Sequence, residues 1–302
     1  MSQEKVLIVG TGALACLFAA RLASHTHVTL LGSWPEGLAA LRRDGVRLVD
    51  ADGSEKTFPV RATNDPADCT DHPFAIVLVK SWQTVRAARQ LAACLSEDGV
   101  ALTLQNGLGN LEQLQDELGE ERAALGVTTT GATLLDPGHV RVGGTGPTHV
   151  ASHPRLAPFV ALIRQAGFEV ETVDDLDGVV WGKLVVNAGI NPLTALLGVP
   201  NGELLQRPEA RALMRAAASE AANVAAALGV RIPYDDPVVV VEDVARRTAT
   251  NRSSMLQDVA RGAPTEIDAI SGAIVEHGER LGVATPVNWT LWHLIRAQIS
   301  SP

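Results

Sequence analysis

The segment Gly10-Thr11-Gly12-Ala13-Leu14-Ala15 sits directly after the apolar run 6–9 and opens a helical stretch over 13–24. This is the glycine-rich fingerprint of a dinucleotide turn, with Ala at its third position. Gly10 permits a tight turn, Gly12 lets a pyrophosphate approach the backbone, and Ala15 is small enough for the helix to close on the strand. Free N–H groups at the positive end of the helix dipole would then receive the phosphates. The pattern alone also suits an ordinary strand–helix turn. Its position between a strand and a helix favours dinucleotide binding, with residues 10–15 as the cradle.

The rest of the first half keeps the same rhythm. Continuous apolar runs at 27–31, 75–79 and 100–104 suit parallel strands covered on both faces, and 83–95 and 111–118 read as helices between them. Asp136-Pro137-Gly138 reads as a hairpin turn, and 167–172 as a last strand. After Asp174-Asp175-Leu176-Asp177 the texture becomes helical, over 179–197, 203–228, 237–248, 254–261, 266–281 and 287–299. The expectation is a Rossmann-type α/β N-terminal domain, 1–174, and an all-α C-terminal domain, 175–302.

The choice of cofactor turns on the end of the second strand. NAD sites usually place an acid there, on the ribose 2′-hydroxyl. This chain runs Leu30-Leu31-Gly32-Ser33-Trp34, with no acid before Glu36. An acid would repel a 2′-phosphate, so its absence favours NADP(H). No Arg stands at the strand end either; Lys80, after a later strand, could supply charge or be a solvated loop lysine.

Composition removes other classes. With 302 residues the chain can bury two cores, and aromatics at 4% leave Ala, Val and Leu to fill them. No apolar run approaches the ~18–20 residues of a membrane span. Residues 1–10 lack the order of a secretion signal. Three cysteines without metal-type spacing suit a reducing cytoplasm, and no His/Asp/Glu cluster has metal-ligand spacing. A formal charge of -9 disfavours nucleic acid and anionic membranes, so an anionic substrate needs a local cation.

Lys183 is the candidate for that cation. It lies in an apolar stretch, and Asn187 and Asn191 follow at i+4 and i+8, giving one polar helical stripe. Read locally, the other polar candidates have plain roles. Asn106-Gly107 suits a turn, Asn201 a helix N-cap, Glu266 the first turn of a helix, and Ser254 a cap or small packing residue.

Taken in order, Gly10-x-Gly12-x-x-Ala15, Lys80-Ser81-Trp82-Gln83, Gln105-Asn106-Gly107-Leu108-Gly109, the stretch from Trp181 through Lys183, Asn187 and Asn191 to Thr194, Ser253-Ser254-Met255-Leu256-Gln257-Asp258 and Pro264-Thr265-Glu266 resemble the ketopantoate reductase (2-dehydropantoate 2-reductase) family. The resemblance spans essentially the whole chain. It implies NADPH-dependent reduction of a small 2-oxo acid, 2-dehydropantoate, to pantoate, on the route to coenzyme A. It also implies that Lys183 is the general acid and that Glu266 holds substrate and lysine in place. Asn187, Asn191 and Ser254 would bond the substrate, with Asn106 and Asn201 lining its cleft. Residues 10–15, Ser33, Lys80, Asn106 and Glu266 would meet the cofactor. Where the family often carries Arg after the second strand, this chain has Ser33. A monomer or homodimer is expected. A reductase of another 2-oxo acid and a non-catalytic NAD(P) sensor are the rival readings.

Overall fold

The computed structural model describes residues 5–299, which form two compact units: one of residues up to Gln105 and Asn110–Leu176, the other of Asn106–Gly109 and the chain from Asp177. Residues 1–4, where the segment read for a secretion signal begins, lie outside the described residues.

The first unit is built on an eight-stranded sheet in the order Val170–Val173, Thr148–Ala151, Ala123–Thr128, Leu95–Thr103, His72–Val77, Lys5–Val9, His27–Leu31, Arg61–Thr63. All neighbours run parallel except Thr148–Ala151 against Ala123–Thr128. The first strand is therefore central, with Val6 paired to Val28 on one side and Phe74 on the other. A second, four-stranded sheet joins Glu55–Phe58, Val46–Val49, His139–Gly144 and Gly131–Asp136. The last two are antiparallel, as the Asp136-Pro137-Gly138 turn requires. Helix Ala13–Leu22 packs against both sheets, with Leu17 and Phe18 sharing a core with Ile8, Leu48 and Val140. That position explains why the helix is apolar nearly all round.

The second unit is all helical among its described residues. Its centre is Asp177–Leu197, packed by Pro208–Ala227, Pro237–Arg247, Ser254–Ala260 and Pro286–Ile299. Small residues let these backbones come close. A Cβ on Gly189 would lie 3.1 Å from the Met214 carbonyl oxygen, and Ala217, Ala218 and Ala221 are fully buried.

Two expected helices differ. The single helix over 203–228 is two, Glu203–Gln206 and Pro208–Ala227, because the residue before a proline avoids the helical region and Arg207 is extended at φ -114°, ψ 105°. Pro208 instead opens the second helix, where its missing N–H costs nothing. The helix over 266–281 begins as a π-helical turn, Asp268–Gly272, and becomes α-helical at Ala273–Leu281.

Candidate functional site

In the first unit the glycine loop joins the ends of three strands. The Gly10 amide donates to the Leu31 carbonyl at 2.8 Å, and the Leu78 amide to the Val9 carbonyl at 2.9 Å. Gly10 adopts φ +131°, and a Cβ there would lie 2.9 Å from the Leu78 carbonyl oxygen, so only glycine fits. Gly12 is different: it has ordinary backbone and no atom within 4 Å of where a Cβ would point. It caps helix Ala13–Leu22 without a side-chain bond, and no acid lies in the first turn. Ala13 and Leu14 are half-buried, and Ala15 is fully buried beneath them. Thr11 is buried too, and a Cβ on Gly32 would meet its Cγ2 at 2.6 Å. Uncapped donors, open space over Gly12 and no competing carboxylate are what a pyrophosphate requires, so these residues fit a dinucleotide.

The loop after His72–Val77 carries Lys80, which is half-buried. Gln105 fastens that loop, its Nε2 donating to the Val79 carbonyl at 2.9 Å and the Thr84 hydroxyl at 2.8 Å. Ser33 is exposed, and its hydroxyl accepts a 2.9 Å hydrogen bond from Arg86 Nη2. Nothing in the bare sequence singles out Arg86, which lies on helix Thr84–Cys94, 53 positions from Ser33.

In the second unit Lys183, Asn187 and Asn191 lie on the unbroken helix Asp177–Leu197 and share its stripe. Lys183 and Asn187 are half-buried and Asn191 is buried. Desolvation pushes the Lys183 ammonium down to about 8, while the negative charge of Glu266 pulls it back up. Glu266 is 5% exposed and stands in the bend before the π-helical turn, not in a helix's first turn. Asn106 Nδ2 donates to its Oε2 at 3.2 Å. The short segment carrying Asn106 is seated on the π-helical turn. The Leu108 amide donates to the Ala269 carbonyl at 2.9 Å, and a Cβ on Gly107 would lie 2.5 Å from the same oxygen. Asn106-Gly107 is thus more than a turn: it brings an amide to the carboxylate that faces the lysine.

Asn201 is not an N-cap. Gly202 precedes helix Glu203–Gln206, while Asn201 Nδ2 donates to Thr248 Oγ1 at 2.9 Å. Its Oδ1 is buried without a hydrogen-bond partner among the described residues. Nor is Ser254 the cap of its helix. Ser253 is, accepting from the Leu256 amide at 3.0 Å and from Thr194 Oγ1 at 2.7 Å, and Ser254 is the exposed first helical residue. Thr194 Oγ1 also lies 3.0 Å from the Asn191 carbonyl oxygen, so this tie fastens the start of helix Ser254–Ala260 to helix Asp177–Leu197 one turn beyond Asn191.

The family model described as ketopantoate reductase PanE/ApbA matches residues 6–155, and that of its C-terminal region matches 175–299. The 2-dehydropantoate 2-reductase of Halobacterium salinarum is 38% identical over 298 residues, 97% of this chain and 98% of that protein. Among solved structures, a PanE/ApbA family ketopantoate reductase from Ralstonia eutropha superposes with a TM-score of 0.91 at 33% identity, covering 98% of each chain. D-mandelate dehydrogenase, solved with NADH and anilino(oxo)acetate, shares the fold at a TM-score of 0.90 and 24% identity, again over 98% of each chain. On these matches, which run from the glycine loop through the last helix, the chain belongs to the ketopantoate reductase PanE/ApbA family.

Proposed function

We propose that this protein reduces 2-dehydropantoate to pantoate with NADPH. The observation that carries the proposal is Lys183: an ammonium in an apolar helix, pushed down to about 8 by burial and kept charged by Glu266. When bound, the nicotinamide supplies the hydride that adds to C2. Residues 10–15 hold the pyrophosphate, and Ser33 and Lys80 serve the adenosine end.

Lys183 polarises the C2 carbonyl and passes its proton to the oxygen as negative charge develops there. A donor whose pKa is near the working pH does this efficiently, since it is mostly protonated yet gives up its proton readily. Glu266 offsets the desolvation of the ammonium, and Asn106 holds the carboxylate by its 3.2 Å bond. Asn187 and Asn191 present amides along the stripe to the substrate's hydroxyl and carboxylate, with Ser254 adding its hydroxyl from helix Ser254–Ala260. The unbonded, buried Oδ1 of Asn201 is available to accept from a hydroxyl. The first unit is then the NADP-binding domain and the helical unit the substrate domain. No helix among the described residues is long and apolar enough to cross a membrane, and three buried free cysteines suit a cytoplasmic enzyme, acting as monomer or homodimer.

Steady-state NADPH oxidation by the purified protein tests the reading. Turnover with 2-dehydropantoate, yielding pantoate, should exceed turnover with 2-oxo acids that lack its hydroxyl. Equal or faster turnover on the simpler acids would move the assignment to another 2-oxo acid. NADPH binding without any oxidation would favour a sensor.

A further inference from the structure

Ser33 lies just past strand His27–Leu31, where dinucleotide folds meet the 2′ position of the adenosine ribose. The charged side chain that reaches that position is a cation. The first carboxylate after Ser33 along the chain is Glu36, already in helix Pro35–Asp44. Arg86 reaches across from helix Thr84–Cys94 and donates to Ser33 Oγ at 2.9 Å. Arg86 is exposed and, among the described residues, makes no ion pair, whereas Arg89 on the same helix is committed to Glu117 at 3.0 Å. Because Ser33 Oγ accepts from the guanidinium, its own O–H stays available as a donor.

We propose that Arg86 selects NADP(H) over NAD(H) in this protein, its guanidinium and the Ser33 hydroxyl together taking the 2′-phosphate. The cation that the strand end lacks is delivered by a different element. A guanidinium presents several N–H donors in a fixed fork that matches phosphate oxygens, and an unpaired one loses no partner on binding. NAD(H) offers only a hydroxyl at that position and gains nothing from the charge. The inference rests on the nicotinamide-cofactor reading above and names the residue that decides between the two cofactors.

Calorimetry on the full chain tests it, with NADPH, NADH and 2′,5′-ADP as probes, the last carrying the phosphate without nicotinamide. Wild type should bind NADPH more tightly than NADH. Arg86→Ala should weaken NADPH and 2′,5′-ADP by about 10- to 100-fold, the worth of a charge-assisted contact. NADH affinity should stay within about twofold, as for a substitution outside its contacts. Arg86→Lys should fall between, retaining charge without the fork. Unchanged NADPH affinity in Arg86→Ala, or equal loss for both cofactors, overturns the proposal while the reductase reading stands. Wild type that binds neither cofactor sinks both.

Discussion

An ammonium withdrawn from water loses much of what stabilises its charge, and at Lys183 that loss is only partly made good by Glu266. Because the lysine must be protonated to act as an acid, kcat/KM for reduction should fall tenfold per pH unit above about 8, the value burial gives the group. Glu266→Gln removes the charge that raises that value, so the alkaline limb should move to lower pH. If the limb stays put while only thermal stability drops, Glu266 is structural. Lys183→Ala should reduce kcat by roughly 10²–10⁴-fold, the usual worth of a positioned acid, with NADPH affinity nearly intact. Residue order and family likeness were enough to single out Lys183 and Glu266 as candidates. What the order could not show was that Asn106 and Glu266 touch, 160 positions apart. The local readings of Asn201 and Ser254 as caps failed for a related reason. Ser253 caps the helix that Ser254 only begins, and Asn201 turns to the distant Thr248 while Gly202 stands at the cap position.

At the scale of elements, the glycine loop separates two jobs that one motif usually conceals. Gly10→Ala forces a side chain into φ +131° and against the Leu78 carbonyl, and should lower Tm along with cofactor binding. Gly12→Ala meets nothing within 4 Å, so the protein should fold with wild-type Tm yet lose NADPH affinity, because the methyl occupies the phosphate's space. Calorimetry alongside thermal melts distinguishes the two; wild-type affinity in Gly12→Ala would remove the loop from the cofactor site. The loop could be read because its demands are local and steric. The break at Arg207 was likewise present in the sequence, as Pro208, and periodicity obscured it. The four-stranded sheet was only partly legible. Glu55–Phe58 is mostly exposed and carries no apolar run, and Val46–Val49 pairs in parallel with His139–Gly144, a contact no local pattern announces.

For the whole molecule, one ion cluster ties helix Pro208–Ala227 to helix Pro237–Arg247. Glu242, 8% exposed, accepts from Arg211 at 2.7 and 2.6 Å and also from Arg215. These hydrogen bonds hold its carboxyl at about 2, well below the ordinary carboxylate range. A carboxylate with a lowered folded-state pKa contributes stability that is present above its unfolded value, 4.5, and lost as pH falls toward 2. Glu242→Gln should therefore lower Tm at neutral pH, by a few degrees (about 2–4 °C per kcal/mol lost). The deficit against wild type should shrink between pH 4.5 and 2. A pH-independent deficit would assign the effect to packing instead.

Local sterics and periodicity, read along the chain, determined the alternating first half, the glycine cradle, the helical second half and the stripe bearing Lys183, since each is written within a dozen or so neighbouring residues. Only tertiary structure decided which distant groups meet. It seated Asn106 with the helical unit beside Glu266, and it brought Arg86 to Ser33. Both contacts depend on where the chain returns after long excursions, and that is set by the summed burial of the cores rather than by any motif.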